Sequence, residues 1–121
     1  ECARSTYTMP PDHGAAIVRT ILEDAELKNQ WLAEVDQMRG RILGVRKALV
    51  QSLQISTNSH HFDFIADHKG MFSVLGIDPA QVDRLRTEFA IYLVDGGRMN
   101  VAGMQTQDVE YFAQSLAQVM I

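Results

Sequence analysis

Arg98 is the residue whose neighbours best suit it for chemistry. It follows two glycines and begins a short apolar stretch, residues 99–102, that ends at Gly103. An arginine between a glycine turn and a buried strand is held in one place, and its planar guanidinium matches a carboxylate with two parallel hydrogen bonds. The carboxylate can belong to a ligand or to this chain, and these residues alone favour the second, a structural salt bridge.

Histidine and aspartate side chains cluster near the middle of the chain. His60, His61 and His68 lie close to Asp63 and Asp67. A metal site needs three or four convergent ligands with ordered partners behind them. No spacing here places two ligands firmly on one helical face, so we predict a solvated loop and no metal site.

Other catalytic signatures do not occur in the sequence. It contains no nucleophile elbow, phosphate-binding loop, dinucleotide fingerprint or Cys-x-x-Cys pair. Cys2 has no identifiable activating partner. The residues therefore predict no catalytic group in this chain.

Composition narrows the class of protein. The chain has 121 residues, of which 46% are hydrophobic and 21% charged, as in a globular domain. Its net charge of −4 disfavours nucleic acid and anionic membranes as partners. No stretch approaches the roughly 18 apolar residues of a membrane span. A single cysteine suits a reducing cytoplasm.

A long amphipathic helix must position much of this chain. Apolar residues recur at spacings of three and four from about Asp24 to Leu53, namely Leu27, Trp31, Val35, Met38, Ile42, Val45 and Leu49. Charged residues, Arg46 among them, mostly fall off this stripe. A helix of about 28 residues is longer than a small globule needs. We therefore expect it to bridge two bodies or to pair with a second long helix.

Shorter elements flank the long helix. We expect helices at about 12–22, 79–89 and 106–120, begun by Asp12, by the capping box of Asp78 and Gln81, and by Thr106. Residues 54–60 read as a polar loop. Strands near 71–74, 91–94 and 98–101 are predicted to pair in one small sheet with helices packed on it. The fold class is therefore α+β.

Four collinear segments are similar to those of one enzyme family. Residues 95–103 (DGGRMNVAG) resemble the C-terminal signature of class I aminotransferases, in the aspartate and aromatic amino acid branch (subgroup Iα). The other three segments are YTMPPDHGA at 7–15, the tryptophan-to-isoleucine helix at 31–42 and KGMFS at 69–73. Together they cover nearly the whole chain.

The resemblance implies a pyridoxal-phosphate (PLP) enzyme of fold type I that works as a homodimer on amino acids and 2-oxo acids. It implies that this chain is the last third of such an enzyme, with residues 1–35 ending the large cofactor domain and starting the bridging helix. Residues 36–121 would form the C-terminal small domain. The family's Schiff-base lysine would lie upstream, because Lys28, Lys47 and Lys69 do not match its context.

The resemblance also assigns three substrate-binding residues. Arg98 falls on the arginine that grips the substrate α-carboxylate. Arg4 falls on the arginine that reaches across the dimer interface to the distal carboxylate of dicarboxylic substrates. Phe72 falls on an aromatic residue that lines the substrate pocket.

Two departures bear on the substrate. Met9 stands where the branch more often has Asn or Ser, and Gly96 stands where Ser is usual. The apolar Met9 favours aromatic substrates such as tyrosine and phenylalanine, with aspartate aminotransferase as the alternative. A third possibility, from another class, is that the isolated chain is a non-catalytic α+β module.

Overall fold

A computed structural model of the chain describes Thr8, residues 12–94 and residues 96–120. Arg4 and Met9 therefore lie outside the described residues. The chain divides into two compact units, Glu1–Met38 and Arg39–Ile121. The predicted boundary between residues 35 and 36 stays a prediction.

The first unit contains helix α1, Asp12–Glu23, and the beginning of helix α2, Ala25–Thr57. The Asp24 carboxylate, between the two helices, accepts a 2.9 Å hydrogen bond from the Leu27 amide and so satisfies one of the free N–H groups at the start of α2. No residue of α1 is buried. The apolar side chains of residues 12–38 are therefore largely exposed in this chain.

Helix α2 confirms the long helix and exceeds its predicted end. It has 33 residues, or about 50 Å at about 1.5 Å per residue. Residues 54–57, predicted as loop, are helical, and the Thr57 hydroxyl donates to the Leu53 carbonyl at 2.7 Å. This back-bond gives the polar Thr57 side chain a partner within the helix. The buried residues of α2 all lie in its second half: Val45, Arg46, Leu49, Val50 and Leu53.

The sheet has two antiparallel strands, β1 (Phe72–Val74) and β2 (Arg98–Asn100), rather than three. Phe72 pairs with Asn100, Ser73 with Met99 and Val74 with Arg98. The third strand predicted at 91–94 is wrong. Of those residues only Val94 makes a bridge, to Arg98, while Ile91 and Leu93 pack against the core.

Helix α3, Pro79–Phe89, begins with the predicted capping box. The Asp78 carboxylate accepts from the Gln81 amide at 2.8 Å, and the Gln81 side chain accepts from the Asp78 amide at 3.0 Å. Helix α4, Val109–Val119, follows a 3₁₀ turn at Thr106–Asp108. Thr106 lies inside that turn and does not cap α4, so the predicted cap was wrong.

The hydrophobic core belongs to the second unit. It joins the second half of α2, the segments on either side of β1, residues of β2 and the inner face of α4. Its fully enclosed side chains include Leu49, Leu53, Ile65, Leu75, Leu85, Val101 and Leu116. Two further 3₁₀ turns, Asp63–Ala66 and Val101–Gly103, connect these elements. Among the described residues, none of the helices combines the length and apolar character that crossing a membrane requires.

The turn before β2 contains two glycines, and the space around them differs. Gly96 and Gly97 both have positive φ, of 79° and 70°. A Cβ on Gly97 would meet Ile77 Cγ1 at 2.7 Å, whereas one on Gly96 would meet nothing within 4 Å. Both alanine variants bear a backbone cost of about 1–2 kcal/mol. Gly97→Ala adds an overpacking cost of about 1–3 kcal/mol.

We therefore expect Gly97→Ala to weaken the turn more than its control, Gly96→Ala. The measurement is native-state hydrogen exchange at the Leu75 amide, which donates to the Gly97 carbonyl at 3.1 Å. Equal loss of protection in the two variants would show that the contact with Ile77 does not matter.

Candidate functional site

The two-stranded sheet has one buried and one exposed face. Ser73 and Met99 point into the core, with exposed fractions of 2% and 3%. Phe72, Val74, Arg98 and Asn100 are exposed, as the alternation of side chains along a strand requires. The sheet therefore anchors itself through one face and presents Arg98 and Phe72 together on the other.

Arg98 lies over the ring of Phe72. The guanidinium carbon is 5.2 Å from the ring centroid, within the range of a cation–π contact. The two residues are diagonal neighbours in the register, since Arg98 pairs with Val74 and Phe72 pairs with Asn100. The ring thus lies on one side of the guanidinium of an exposed arginine.

A structural salt bridge was the other interpretation of Arg98. Within the ranges 12–94 and 96–120, no ion pair of 4.0 Å or less joins Arg98 to a carboxylate. The described part of the chain thus offers no carboxylate partner for this charge.

The glycine turn fixes where β2 begins. The Gly97 amide donates to the Val94 carbonyl at 3.0 Å, and the Gly97 carbonyl accepts from Leu75. The Gly97 backbone, at a φ of 70°, lies against Ile77 and Leu75. Arg98 is therefore the first residue after a turn that is pinned to the core.

Arg46 of α2 donates hydrogen bonds to strand β1 and to the residues before it from the buried side of the sheet. Its Nη2 donates to the carbonyls of Gly70, at 2.9 Å, and Phe72, at 3.2 Å. Its Nη1 donates to the Ile65 carbonyl at 3.2 Å and to the Ser73 hydroxyl. The Ser73 oxygen in turn lies 3.1 Å from His68 Nδ1. One side chain thus fixes the backbone on both sides of the start of β1.

Sequence reasoning placed Arg46 off the buried stripe, and this was wrong, since Arg46 is 1% exposed. All four of its acceptors are neutral, and burial lowers the pKa of its guanidinium. A signal for this was present in the sequence. At about 100° of rotation per residue, Arg46 falls between Val50 and Leu53 on the helix circumference, inside the apolar sector.

Arg41 makes a second contact from α2 to the sheet region, which sequence reasoning also missed. Its Nη1 donates to the Ala102 carbonyl at 2.9 Å and its Nη2 to the Met104 carbonyl at 3.0 Å. These carbonyls belong to the 3₁₀ turn that follows β2 and to the residue after it. Arg41 lies in the segment 31–42 that carries the family resemblance, which was the available signal.

The histidines have separate partners. His60 Nδ1 is 2.8 Å from an Asp63 carboxylate oxygen, and the Gln54 amide donates to the other oxygen at 2.7 Å. These hydrogen bonds, from Gln54 first and then His60, lower the pKa of the Asp63 carboxyl. His68 instead faces Ser73. Across the described residues, no three His, Cys, Asp or Glu side chains are grouped to hold a metal.

The three lysines are all exposed. Lys28 and Lys47 lie on α2, and Lys69 lies in the loop before β1.

Comparison with known proteins assigns the family. The model for "Aminotransferase class I and II" matches residues 1–116. This chain therefore belongs to the class I and II aminotransferase family, as the resemblance predicted.

Relatives of two substrate classes are similar to the chain. The aromatic-amino-acid aminotransferase of Escherichia coli K12 is 47% identical over 97% of this chain. The aspartate aminotransferase of Haemophilus influenzae is 43% identical over 97%. The crystal structure of the aromatic-amino-acid aminotransferase of Burkholderia pseudomallei, covalently bound to pyridoxal phosphate, matches 98% of the chain with a TM-score of 0.90 and 42% identity. The chain spans 30% of the length of each.

Proposed function

We propose that this segment is the C-terminal, carboxylate-binding part of a PLP-dependent aminotransferase. The enzyme would transfer an amino group between an aromatic or dicarboxylic amino acid and a 2-oxo acid. The observation that carries the proposal is Arg98, exposed over Phe72 with no carboxylate partner among residues 12–94 and 96–120.

The task suits the geometry of Arg98. An α-carboxylate stays ionised throughout amino-group transfer, so a guanidinium that remains charged and planar can bind it with two parallel hydrogen bonds at every step. The pinned turn before Arg98 and the ring beneath it limit the motion of the side chain. Holding the substrate in one orientation is what this chain would contribute to the rate.

PLP, when bound, supplies the electron sink for amino-group transfer. The exposed Lys28, Lys47 and Lys69 do not suit its attachment. We therefore assign the cofactor to a part of the enzyme outside this chain, and we assign no catalytic residue within it.

The substrate preference would depend on residues that line the substrate pocket of the whole enzyme. Phe72 is 45% exposed and would line it. Arg4, outside the described residues, would approach the side-chain end of dicarboxylic substrates. We favour aromatic substrates because of the apolar Met9, and we keep aspartate as the second candidate because an aspartate aminotransferase is 43% identical to the chain.

The first unit supports assembly with further protein. Its exposed apolar side chains follow α1 and the first half of α2: Ile17, Val18, Leu22, Leu27, Trp31, Leu32, Val35 and Met38. So many contiguous exposed apolar residues mark a surface that binds protein. This supports a larger enzyme and a homodimer, which we place in the cytoplasm, over an isolated non-catalytic module.

Arg98→Ala in the intact enzyme should reduce kcat/KM for every amino acid substrate, because all share the α-carboxylate. Each hydrogen bond to a charged group contributes about 1.5–3 kcal/mol, so losing two costs about 3–6 kcal/mol. The loss in kcat/KM is then about 10²–10⁴-fold. Steady-state kinetics with tyrosine and with aspartate measure it.

Arg4→Ala is the matched control, because it should reduce kcat/KM with aspartate and spare tyrosine. Unchanged kcat/KM in Arg98→Ala would refute the role of Arg98 as the α-carboxylate ligand.

The 121-residue chain incubated with PLP should form no specific covalent adduct. Its lysines are exposed, so none is activated for attachment. Borohydride reduction followed by peptide mass spectrometry measures labelling, with the intact enzyme as the positive control. Stoichiometric labelling of Lys28, Lys47 or Lys69 would contradict our assignment of the cofactor site.

A further inference from the structure

Two of the three arginines of α2, Arg41 and Arg46, donate hydrogen bonds at the same end of the sheet. Phe72, which begins β1, pairs with Asn100, which ends β2. The Val101 amide also donates to the Met71 carbonyl at 2.8 Å across this end. At this end of the sheet, Arg46 therefore bonds to the start of β1, and Arg41 bonds to the residues that follow β2.

The two contacts differ in what they reach. Arg41 is exposed and bonds to Ala102 and Met104, beyond the last residue of β2. Arg46 is buried and bonds to the carbonyl of Phe72 itself, the residue whose ring lies under Arg98. Of the two arginines, only Arg46 bonds to a residue, Phe72, that itself contacts the proposed carboxylate ligand, Arg98.

The hydrogen bonds of Arg46 determine the direction of the backbone. Its Nη2 bridges the carbonyls of Gly70 and Phe72, so the Gly70–Met71 and Phe72–Ser73 peptide groups must both direct their carbonyls at the guanidinium. Its Nη1 reaches the Ser73 hydroxyl on the buried face of β1. With these groups directed inward, the Phe72 ring is left on the exposed face, where Arg98 lies.

Because the Arg46 side chain is buried, it must keep these hydrogen bonds. Taking a guanidinium out of water costs several kcal/mol, which only a complete set of hydrogen bonds offsets. Across the described residues, Arg46 has no carboxylate within 4.0 Å, so its three carbonyl acceptors and one hydroxyl must supply that set. A shift of the Phe72 backbone would leave a buried donor unsatisfied.

We propose that Arg46 is a positioning residue for substrate binding: it fixes the Phe72 backbone, and the Phe72 ring then sets the height and tilt of the Arg98 guanidinium. This inference rests on the proposed function of Arg98. It adds a residue that is buried on the opposite face of the sheet and touches no substrate.

The test uses Arg46→Lys in the intact enzyme, which keeps the charge and loses the planar fork. The substrate is whichever of tyrosine and aspartate the wild-type enzyme converts faster. We expect its KM to rise about tenfold and kcat to fall less than threefold. The effect is on KM because the carboxylate is bound equally in the ground state and the transition state. Arg41→Lys is the matched control on the same helix. It should change KM less than twofold, and an equal rise in both variants would overturn the proposal.

A double-mutant cycle separates positioning from general loss of structure. In an Arg98→Ala background, measured in single turnovers, Arg46→Lys should change substrate affinity less than twofold, because the group that it positions is gone. The same tenfold loss in both backgrounds would overturn the role of Arg46 and leave that of Arg98 intact. If Arg98→Ala alone has no effect, the proposed function itself fails.

Ser73→Ala provides a milder perturbation should Arg46→Lys not fold. It removes one acceptor of Arg46 and keeps the guanidinium and its bond to Phe72. We expect KM to rise two- to threefold in the wild-type background and not at all with Arg98→Ala. A rise that persists with Arg98→Ala, or no rise in either background, would count against the proposal.

Discussion

A guanidinium that is 1% exposed and has only neutral acceptors must keep its hydrogen bonds, and much of this fold depends on that requirement. Arg46 is carried by a helix whose neighbouring side chains, Leu49, Val50 and Leu53, are themselves fixed in the core. The backbone must therefore place the carbonyls of Ile65, Gly70 and Phe72 within hydrogen-bonding distance of the arginine. The loop between α2 and β1 contains a single 3₁₀ turn, Asp63–Ala66, and this side chain helps to specify the path of the loop into β1.

The sheet that results is small, with two strands of three residues each. An isolated pair of such short strands is marginal by itself in water. Here Met99 anchors one strand in the core, Arg46 holds the other, and the turn at Gly97 lies against Ile77. Because the inner face takes up these constraints, the outer face leaves Arg98 and Phe72 exposed, as the ligand-binding role that we propose for them requires. Rigid support beneath an exposed charge suits recognition of a carboxylate that keeps its own charge throughout a reaction.

Local signals predicted the elements that depend on local physics. Helix α3 begins at its capping box because Asp78 and Gln81 satisfy backbone groups within one turn. Helix α2 follows from a repeat of three and four over more than twenty residues. Two of the failures, the strand at 91–94 and the exposure of Arg46, have a common cause in non-local packing: residues 91–93 contribute Ile91 and Leu93 to the core instead of pairing as a strand. Arg46 was misplaced because the apolar sector of α2 widens where the core surrounds it.

The sequence by itself determined the family and most of the helices, and it led us to propose Arg98 and Phe72 as site residues, because motifs and periodicity are properties of order along the chain. It left open whether the partner of Arg98 is internal. Tertiary structure decided that the guanidinium lies over the Phe72 ring, with no carboxylate beside it among the described residues. It also decided that Arg41 and Arg46 hold the sheet, since their acceptors lie 19 to 63 residues away. Backbone carbonyls look alike in every sequence, and only folding selects which of them a buried arginine will meet.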